Sequence, residues 1–143
     1  MRNAILAIAV LLSFLAVAPA QQRTTINQVP IKRTSWASGR EMFREYCAAC
    51  HGENGAGEGP AASACTVKPA DLTTLAKRNR GKFSYDGFYA VLQFGTQTRV
   101  PAHGSADMPV WLPLFASLNE GHEALAEQRM YNLARYVASL QSK

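Results

Sequence analysis

Two cysteines and a histidine stand together in the first half of the chain. Cys47 and Cys50 are separated by two alanines, and His51 follows at once. Residues three apart on a helix share a face, so two thiols at this spacing can add to the two vinyl groups on neighbouring pyrroles of one haem. The next imidazole is then carried over the macrocycle, where it can coordinate the iron. The spacing therefore predicts one covalently attached haem c, with His51 as its proximal ligand.

Two other kinds of site also use closely spaced cysteines. A dithiol redox pair would need a thioredoxin-like arrangement of strand and helix, and half of a zinc site would need a second cysteine or histidine pair. Neither context is visible, because His103 and His122 do not form a spaced pair and Cys65 stands alone. A third cysteine of this kind is expected to be a buried apolar thiol, with pairing between chains or oxidation as the alternative.

The ligand on the other face of the iron decides what a haem can do. The candidates are Met42, Met108, Met130, His103 and His122. Met42 shares its helix with the cysteines and Met130 belongs to an apolar helix face, whereas Met108 lies in a proline-bounded loop. We predict Met108, with His103 or an open position as alternatives, since thioether and imidazole both ligate haem iron. His/Met ligation raises the reduction potential, which suits an electron carrier.

The first twenty residues have the pattern of an export signal. Arg2 precedes an apolar run over residues 4–18, and the segment ends Ala-Pro-Ala at residues 18–20. This small-x-small ending is typical of a signal-peptidase site, so we expect residues 1–20 to be a signal peptide and the mature chain to start at Gln21 without a membrane span. The predicted location is periplasmic or otherwise exported.

Length and charge limit the remaining possibilities. A chain of 143 residues has room for one small domain once the leader is removed. Its formal net charge is +5, but basic and aromatic residues are not interleaved as in nucleic-acid binders. The mild positive charge instead favours acidic partner surfaces, and the run Lys77, Arg78, Arg80 and Lys82 could steer such a partner or be an ordinary solvated loop.

Hydrophobic periodicity predicts an all-α domain over residues 36–143, after a flexible polar arm over residues 21–35. Ser38 and Glu41 have the spacing of a helix cap, and that helix should run to about Cys50. A glycine-rich stretch follows over residues 52–60. Further helices are predicted over residues 70–76 and 84–93, the latter ended by Gly95; then come a loop over 96–113 and an amphipathic terminal helix capped at Asn119.

Over residues 36–140 the chain resembles the small bacterial monohaem cytochromes c of class I. The matching motifs are Gly39 and Phe43 before the Cys47–Gly52 run, Tyr136 in the last helix, Pro69–Thr73, and His103–Trp111. The resemblance implies four to five helices wrapped around one haem, with Leu72 and Trp111 beside it and Met108 as the sixth ligand. It also implies that a proline carbonyl, from Pro60 or Pro69, accepts the hydrogen bond of His51.

The function implied is that of a one-electron carrier, expected to be a monomer, between a redox-protein donor and acceptor. Both axial ligands stay bound, so no substrate chemistry is expected and the protein would not be an enzyme. The alternative is a haem enzyme or gas-binding sensor in which Met108 does not bind and the sixth position is open.

Overall fold

The computed structural model describes residues 31–95, 108–119 and 122–142. Within these ranges the chain is helical and has no strand, which confirms the all-α prediction. The α-helices are α1 Gly39–Tyr46, α2 Ala48–His51, α3 Leu75–Arg78, α4 Tyr85–Phe94, α5 Trp111–Ser117 and α6 Glu123–Ser139, and the 3-10 helices are Ala62–Ala64 and Leu72–Thr74. The described ranges hold more helices than the four to five expected, because α2 and α3 are single turns of four residues.

The cysteine–histidine motif spans a break between two helices. The hydroxyl of Ser38 accepts from the backbone N–H of Glu41 at 3.1 Å, so α1 begins with the predicted cap. One helix was predicted to continue to about Cys50, but α1 ends at Tyr46, where Cys47 with φ −114° separates it from α2. Gly52 then ends α2 with φ +79°, a conformation in which a side chain would be strained.

The first and last long helices cross where a glycine lets their backbones meet. A Cβ at Gly39 would overlap the carbonyl oxygen of Asn132 and crowd the Cβ of Tyr136. The Phe43 and Tyr136 rings lie beside this contact, with centroids 5.3 Å apart. The motif residues Gly39, Phe43 and Tyr136 therefore lie together where the two helices cross. The largest fully buried side chains of the core are Met42, Phe43, Val91, Leu92, Phe115, Leu133 and Val137.

Helix α5 lies partly inside a segment predicted to be loop. The prolines of residues 96–113 suggested irregular structure, yet α5 begins at Trp111 and includes Pro113. A proline is tolerated there because N–H groups in the first helical turn have no intrahelical acceptor. Residues 96–107 lie outside the described residues.

The predicted cap of the terminal helix is wrong by three residues. The last helix begins at Glu123 with His122 at its N-cap position. The side chain of Asn119 instead donates to the carbonyl of Phe115 at 2.9 Å and helps to end α5. Asn119 therefore terminates one helix rather than starting the next.

Residues just before α1 are held against the domain. The two terminal nitrogens of the buried Arg129 donate to Thr34, one to the hydroxyl at 3.0 Å and one to the carbonyl at 2.8 Å. Arg33 donates to the carbonyl of Leu118 at 3.0 Å. Thr34, in the predicted arm, is therefore held to the domain, because its hydroxyl and carbonyl pair the two terminal nitrogens of a buried guanidinium, whose Nε has no hydrogen-bond partner among the described residues. The predicted signal peptide lies outside the described residues. Among those described, no helix combines the length and apolar character needed to span a membrane.

Candidate metal centre

His51, at the end of α2, is the residue best placed to bind a metal. It is buried, and its Nδ1 lies 2.9 Å from the carbonyl oxygen of Ala70. A carbonyl oxygen can only accept a hydrogen bond, so Nδ1 must carry the proton and donate it. The lone pair then resides on Nε2, which is the atom that can coordinate iron. The ring is thus held in the tautomer and orientation that a proximal ligand requires.

The acceptor for His51 differs from the one predicted. A carbonyl of Pro60 or Pro69 was expected, but the structure shows that of Ala70. The carbonyl of Pro69 faces Gly57, where a Cβ would overlap it. Successive carbonyls in extended chain point in different directions, so only one of the two can face the imidazole.

Burial adjusts the protonation of the motif's side chains. Desolvation lowers the pKa of His51 below its ordinary 6.5, and the hydrogen bond to Ala70 opposes this only in part. The imidazole is therefore neutral at pH 7 and can act as a ligand. Desolvation of the Cys47 thiol, aided by the nearby Cys50, raises its pKa to about 12. Cys47 is accordingly protonated at neutral pH.

The glycine-rich stretch wraps around α2 and satisfies its carbonyls. Gly57 N–H donates to His51 O at 2.8 Å, and Gly59 N–H donates to Cys50 O at 3.0 Å. Ala61 N–H donates to Ala49 O at 2.8 Å. A Cβ at Gly59 would overlap the Ala49 carbonyl, so only glycine allows this approach. These bonds pair the otherwise orphaned carbonyls of α2 and fix the motif in place.

The donor set suits a haem better than a metal ion held by protein alone. In the described ranges no group of three or more His, Cys, Asp or Glu side chains is arranged to hold a metal ion. One oriented imidazole leaves most of the coordination sphere to be supplied from elsewhere, and a porphyrin brings four nitrogen ligands of its own. Two cysteines beside that imidazole are the groups that would attach its vinyl arms.

The family comparison agrees with this geometry. A family model described as cytochrome C oxidase, cbb3-type, subunit III matches residues 34–113, more than half of the chain. The chain belongs to this family of c-type cytochromes. Its domain is class I-like, and the family implies covalently bound haem c. The cytochrome matches no curated protein and no solved structure.

The candidate sixth ligands of the cytochrome occupy different environments. Met42 and Met130 are both buried in the hydrophobic core, as the apolar helix face of Met130 predicted for that residue. Met108 is half-buried just before α5 and packs against the core. His122 is exposed, whereas His103 lies outside the described residues. Coordination by Met108 stays a prediction.

The two apolar residues expected beside the haem of the cytochrome are both buried. Leu72 is 4% exposed, and its N–H donates to the carbonyl of Gly55 at 2.7 Å. Trp111 is 7% exposed and packs on Tyr46, with ring centroids 5.4 Å apart. Their contact with haem stays a prediction, as does that of Pro69.

Sequence reasoning missed two residues that support the site and one buried charge elsewhere in the domain. Ala70 acts through its backbone, which leaves no trace in the sequence. The side chain of Gln141 donates a hydrogen bond to the carbonyl of Leu72, and no sequence pattern around Gln141 predicts this bond. Arg129 did leave a signal, because a charged residue stands in the apolar stripe formed by Ala126 and Met130 on α6.

The third cysteine is not isolated in space. Cys65 was described as standing alone in the sequence, but its Sγ lies 3.9 Å from the Sγ of Cys50. It is half-buried rather than fully enclosed. All three cysteines fall within the described ranges, and none forms a disulfide there.

Proposed function

We propose that this chain is an exported one-electron carrier with a single haem c attached to Cys47 and Cys50 and ligated by His51 and Met108. The observation that carries the proposal is the hydrogen bond from His51 Nδ1 to Ala70, at 2.9 Å, on a residue directly after a cysteine pair. It leaves Nε2 as the ligand atom on the residue that directly follows the two thiols that would attach a porphyrin.

The protein's part in electron transfer is to bind and hold. Bound haem supplies an iron that gains or loses one electron. His51 keeps its ring orientation in both states because the Ala70 carbonyl holds Nδ1. Met108 offers a polarisable thioether, and the apolar side chains of Leu72 and Trp111 exclude water. Because the protein rearranges little when the iron changes its oxidation state, docking of the partner protein limits the rate of electron transfer.

Partner recognition is proposed to use the basic residues around α3. Lys77, Arg78, Arg80 and Lys82 are exposed, and the chain carries a formal net charge of +5. Arg78 also donates to the carbonyl of Asp71 at 2.6 Å, which fixes its position. Long-range attraction from such a surface speeds encounters with acidic redox proteins, and those encounters are weak and brief. The carrier acts as a monomer.

The matched family is named for subunit III of a cbb3-type oxidase. Membership of that family supports a haem c domain that passes electrons in this chain. We propose that one redox protein is its donor and another its acceptor. The alternative, a haem enzyme or gas-binding sensor, requires the sixth position to be open.

Optical spectra of the purified holoprotein during a redox titration test the proposal. Methionine-ligated low-spin ferric haem should show its weak charge-transfer band and one reversible one-electron step. A high-spin ferric spectrum that shifts with added cyanide would contradict the carrier and favour the enzyme or sensor. Export is tested separately by intact mass, which should begin at Gln21; exported protein that begins at Met1 would refute cleavage.

A further inference from the structure

The fold places a third sulfur beside the haem-attachment motif. Cys65 follows the 3-10 helix Ala62–Ala64, and its Sγ lies 3.9 Å from that of Cys50. The thiol also contacts the carbonyl oxygen of Ala61 at 3.6 Å. Fifteen positions separate the two cysteines in sequence. Their proximity is therefore a product of the fold.

Backbone hydrogen bonds hold the two cysteines together. Gly59 N–H donates to Cys50 O at 3.0 Å, and Ala61 N–H donates to Ala49 O at 2.8 Å. Cys65 N–H in turn donates to Ala62 O at 3.3 Å, which fixes the cysteine at the end of this tied segment. The packed loop from Cys50 to Cys65 is thus already restricted, so that closing it with a disulfide costs little further conformational entropy.

A disulfide needs only a small adjustment from this arrangement. The bond length is about 2.0 Å, and a sulfur swings around the Cα–Cβ bond when χ1 rotates. We propose that, before haem is attached, Cys50 and Cys65 form a disulfide that withholds Cys50 from the haem vinyl group. The pair is a redox modification site distinct from the Cys47–Cys50 pair of the motif.

The proposed step is thiol–disulfide exchange with a disulfide oxidant, either a protein or a small molecule. The thiolate of one cysteine attacks the oxidant and releases one thiol, and the second cysteine then attacks the mixed disulfide and releases the other. The chain loses two electrons and two protons, and the oxidant becomes two thiols. A dithiol reductant reverses the exchange. The effect on haem loading rests on the proposed attachment at Cys50, whereas disulfide formation does not.

Linkage mapping of the full chain, produced without haem, tests the disulfide. The chain is equilibrated in a glutathione redox buffer, quenched with acid and alkylated. Trypsin cannot separate the cysteines because no Lys or Arg lies between Arg44 and Lys68. A protease that cleaves after glutamate cuts at Glu53 and Glu58 and so separates Cys65 from the two cysteines of the motif.

We expect the Cys50–Cys65 linkage to be the main product and to be enriched several-fold over the same chain in urea. The Cys47→Ser variant should retain it. A main product of Cys47–Cys50, or a distribution equal to that in urea, would overturn the proposal, because the fold would then not direct the pairing.

Haem loading supplies a second readout. Cys65→Ser is compared with the wild type in cells that attach haem under limiting reductant, with Ser63→Ala as an exposed neighbouring control that leaves the thiols unchanged. The serine variant should load a several-fold larger fraction of its chains, and excess dithiol should abolish the difference. Equal loading without dithiol would overturn the gating role. Absence of covalent haem in every variant would refute the proposed function, while the mapped linkage still decides the disulfide.

Discussion

At the scale of single residues, the imidazole of His51 is prepared for iron by its surroundings. Its Nδ1–H donates a hydrogen bond to the Ala70 carbonyl at 2.9 Å, and burial lowers its pKa. A free histidine would rotate and would be partly protonated near neutral pH. Here one carbonyl removes the rotation and the apolar environment removes the charge. The residue therefore has the tautomer and the charge that a haem ligand requires.

The first prediction concerns Met108 as the sixth ligand. Met108→Ala should lower the reduction potential by roughly 0.1 V or more, a fraction of the roughly 0.8 V range that axial ligands set. The thioether favours the ferrous iron, and its loss removes that preference. The measurement is a redox titration followed by optical spectra.

Met130→Leu is the matched control, because Met130 is buried in the core on α6. This substitution conserves volume and should leave the potential nearly unchanged. If Met108→Ala also leaves the potential unchanged, Met108 is not the ligand.

At the scale of elements, the chain end pins the segment that bears Leu72. The side-chain nitrogen of Gln141 donates to Leu72 O at 2.7 Å, and its oxygen accepts from Ala76 N–H at 2.7 Å. Ser142 N–H adds a bond to Thr73 O at 2.8 Å. The residues just after α6 therefore bind the second 3-10 helix, which begins two residues after Ala70, and the start of α3. The terminal segment thus stabilises the stretch of chain just after Ala70, the residue whose carbonyl orients His51.

The second prediction follows from these bonds. Gln141→Ala should lower the free energy of unfolding by about 1–3 kcal/mol, because part-buried backbone groups lose their partners. Urea unfolding of the holoprotein, followed by haem absorbance, measures the change. Gln93→Ala, at an exposed position of α4, is the control and should change stability by less than about 0.5 kcal/mol. Equal effects of the two substitutions would contradict the anchoring role.

Several elements could be predicted because their signals are local. Short stretches of sequence are enough to predict the Ser38 cap, the glycine that ends α4 and the apolar stripe of α6. The break at Cys47 and the helix that starts at Trp111 depend on packing elsewhere in the molecule. Which carbonyl faces His51 depends on the direction of the backbone. The pattern of side chains in the sequence does not reveal that direction. A domain with covalently bound haem c could thus be predicted from the sequence, but the hydrogen bonds around His51 could not.

At the scale of the whole molecule, the two ends of the domain meet where the first and last helices cross. Helix α1 carries the cysteine motif at its end, and α6 crosses it where Gly39 meets Asn132. The Asn132 side chain also donates to the carbonyl of Trp36 at 2.9 Å. The position of the motif therefore depends on contacts almost a hundred residues apart.

The third prediction tests this crossing. Gly39→Ala should lower the free energy of unfolding by about 1–3 kcal/mol, because the added Cβ forces the helices apart. Gly87→Ala makes the same change in α4, where only the Ser84 side chain is near, and gains helix propensity. Thermal unfolding of both variants compares them. A Gly39 variant as stable as the Gly87 variant would contradict the close approach.

The most direct test of the whole account is the intact mass of the denatured holoprotein, measured together with its haem stain on a denaturing gel. We predict the mass of the polypeptide plus one iron protoporphyrin, bound so that denaturation does not release it. Cys47→Ser combined with Cys50→Ser should abolish the covalent haem. A wild-type mass equal to that of the polypeptide alone would contradict the central claim.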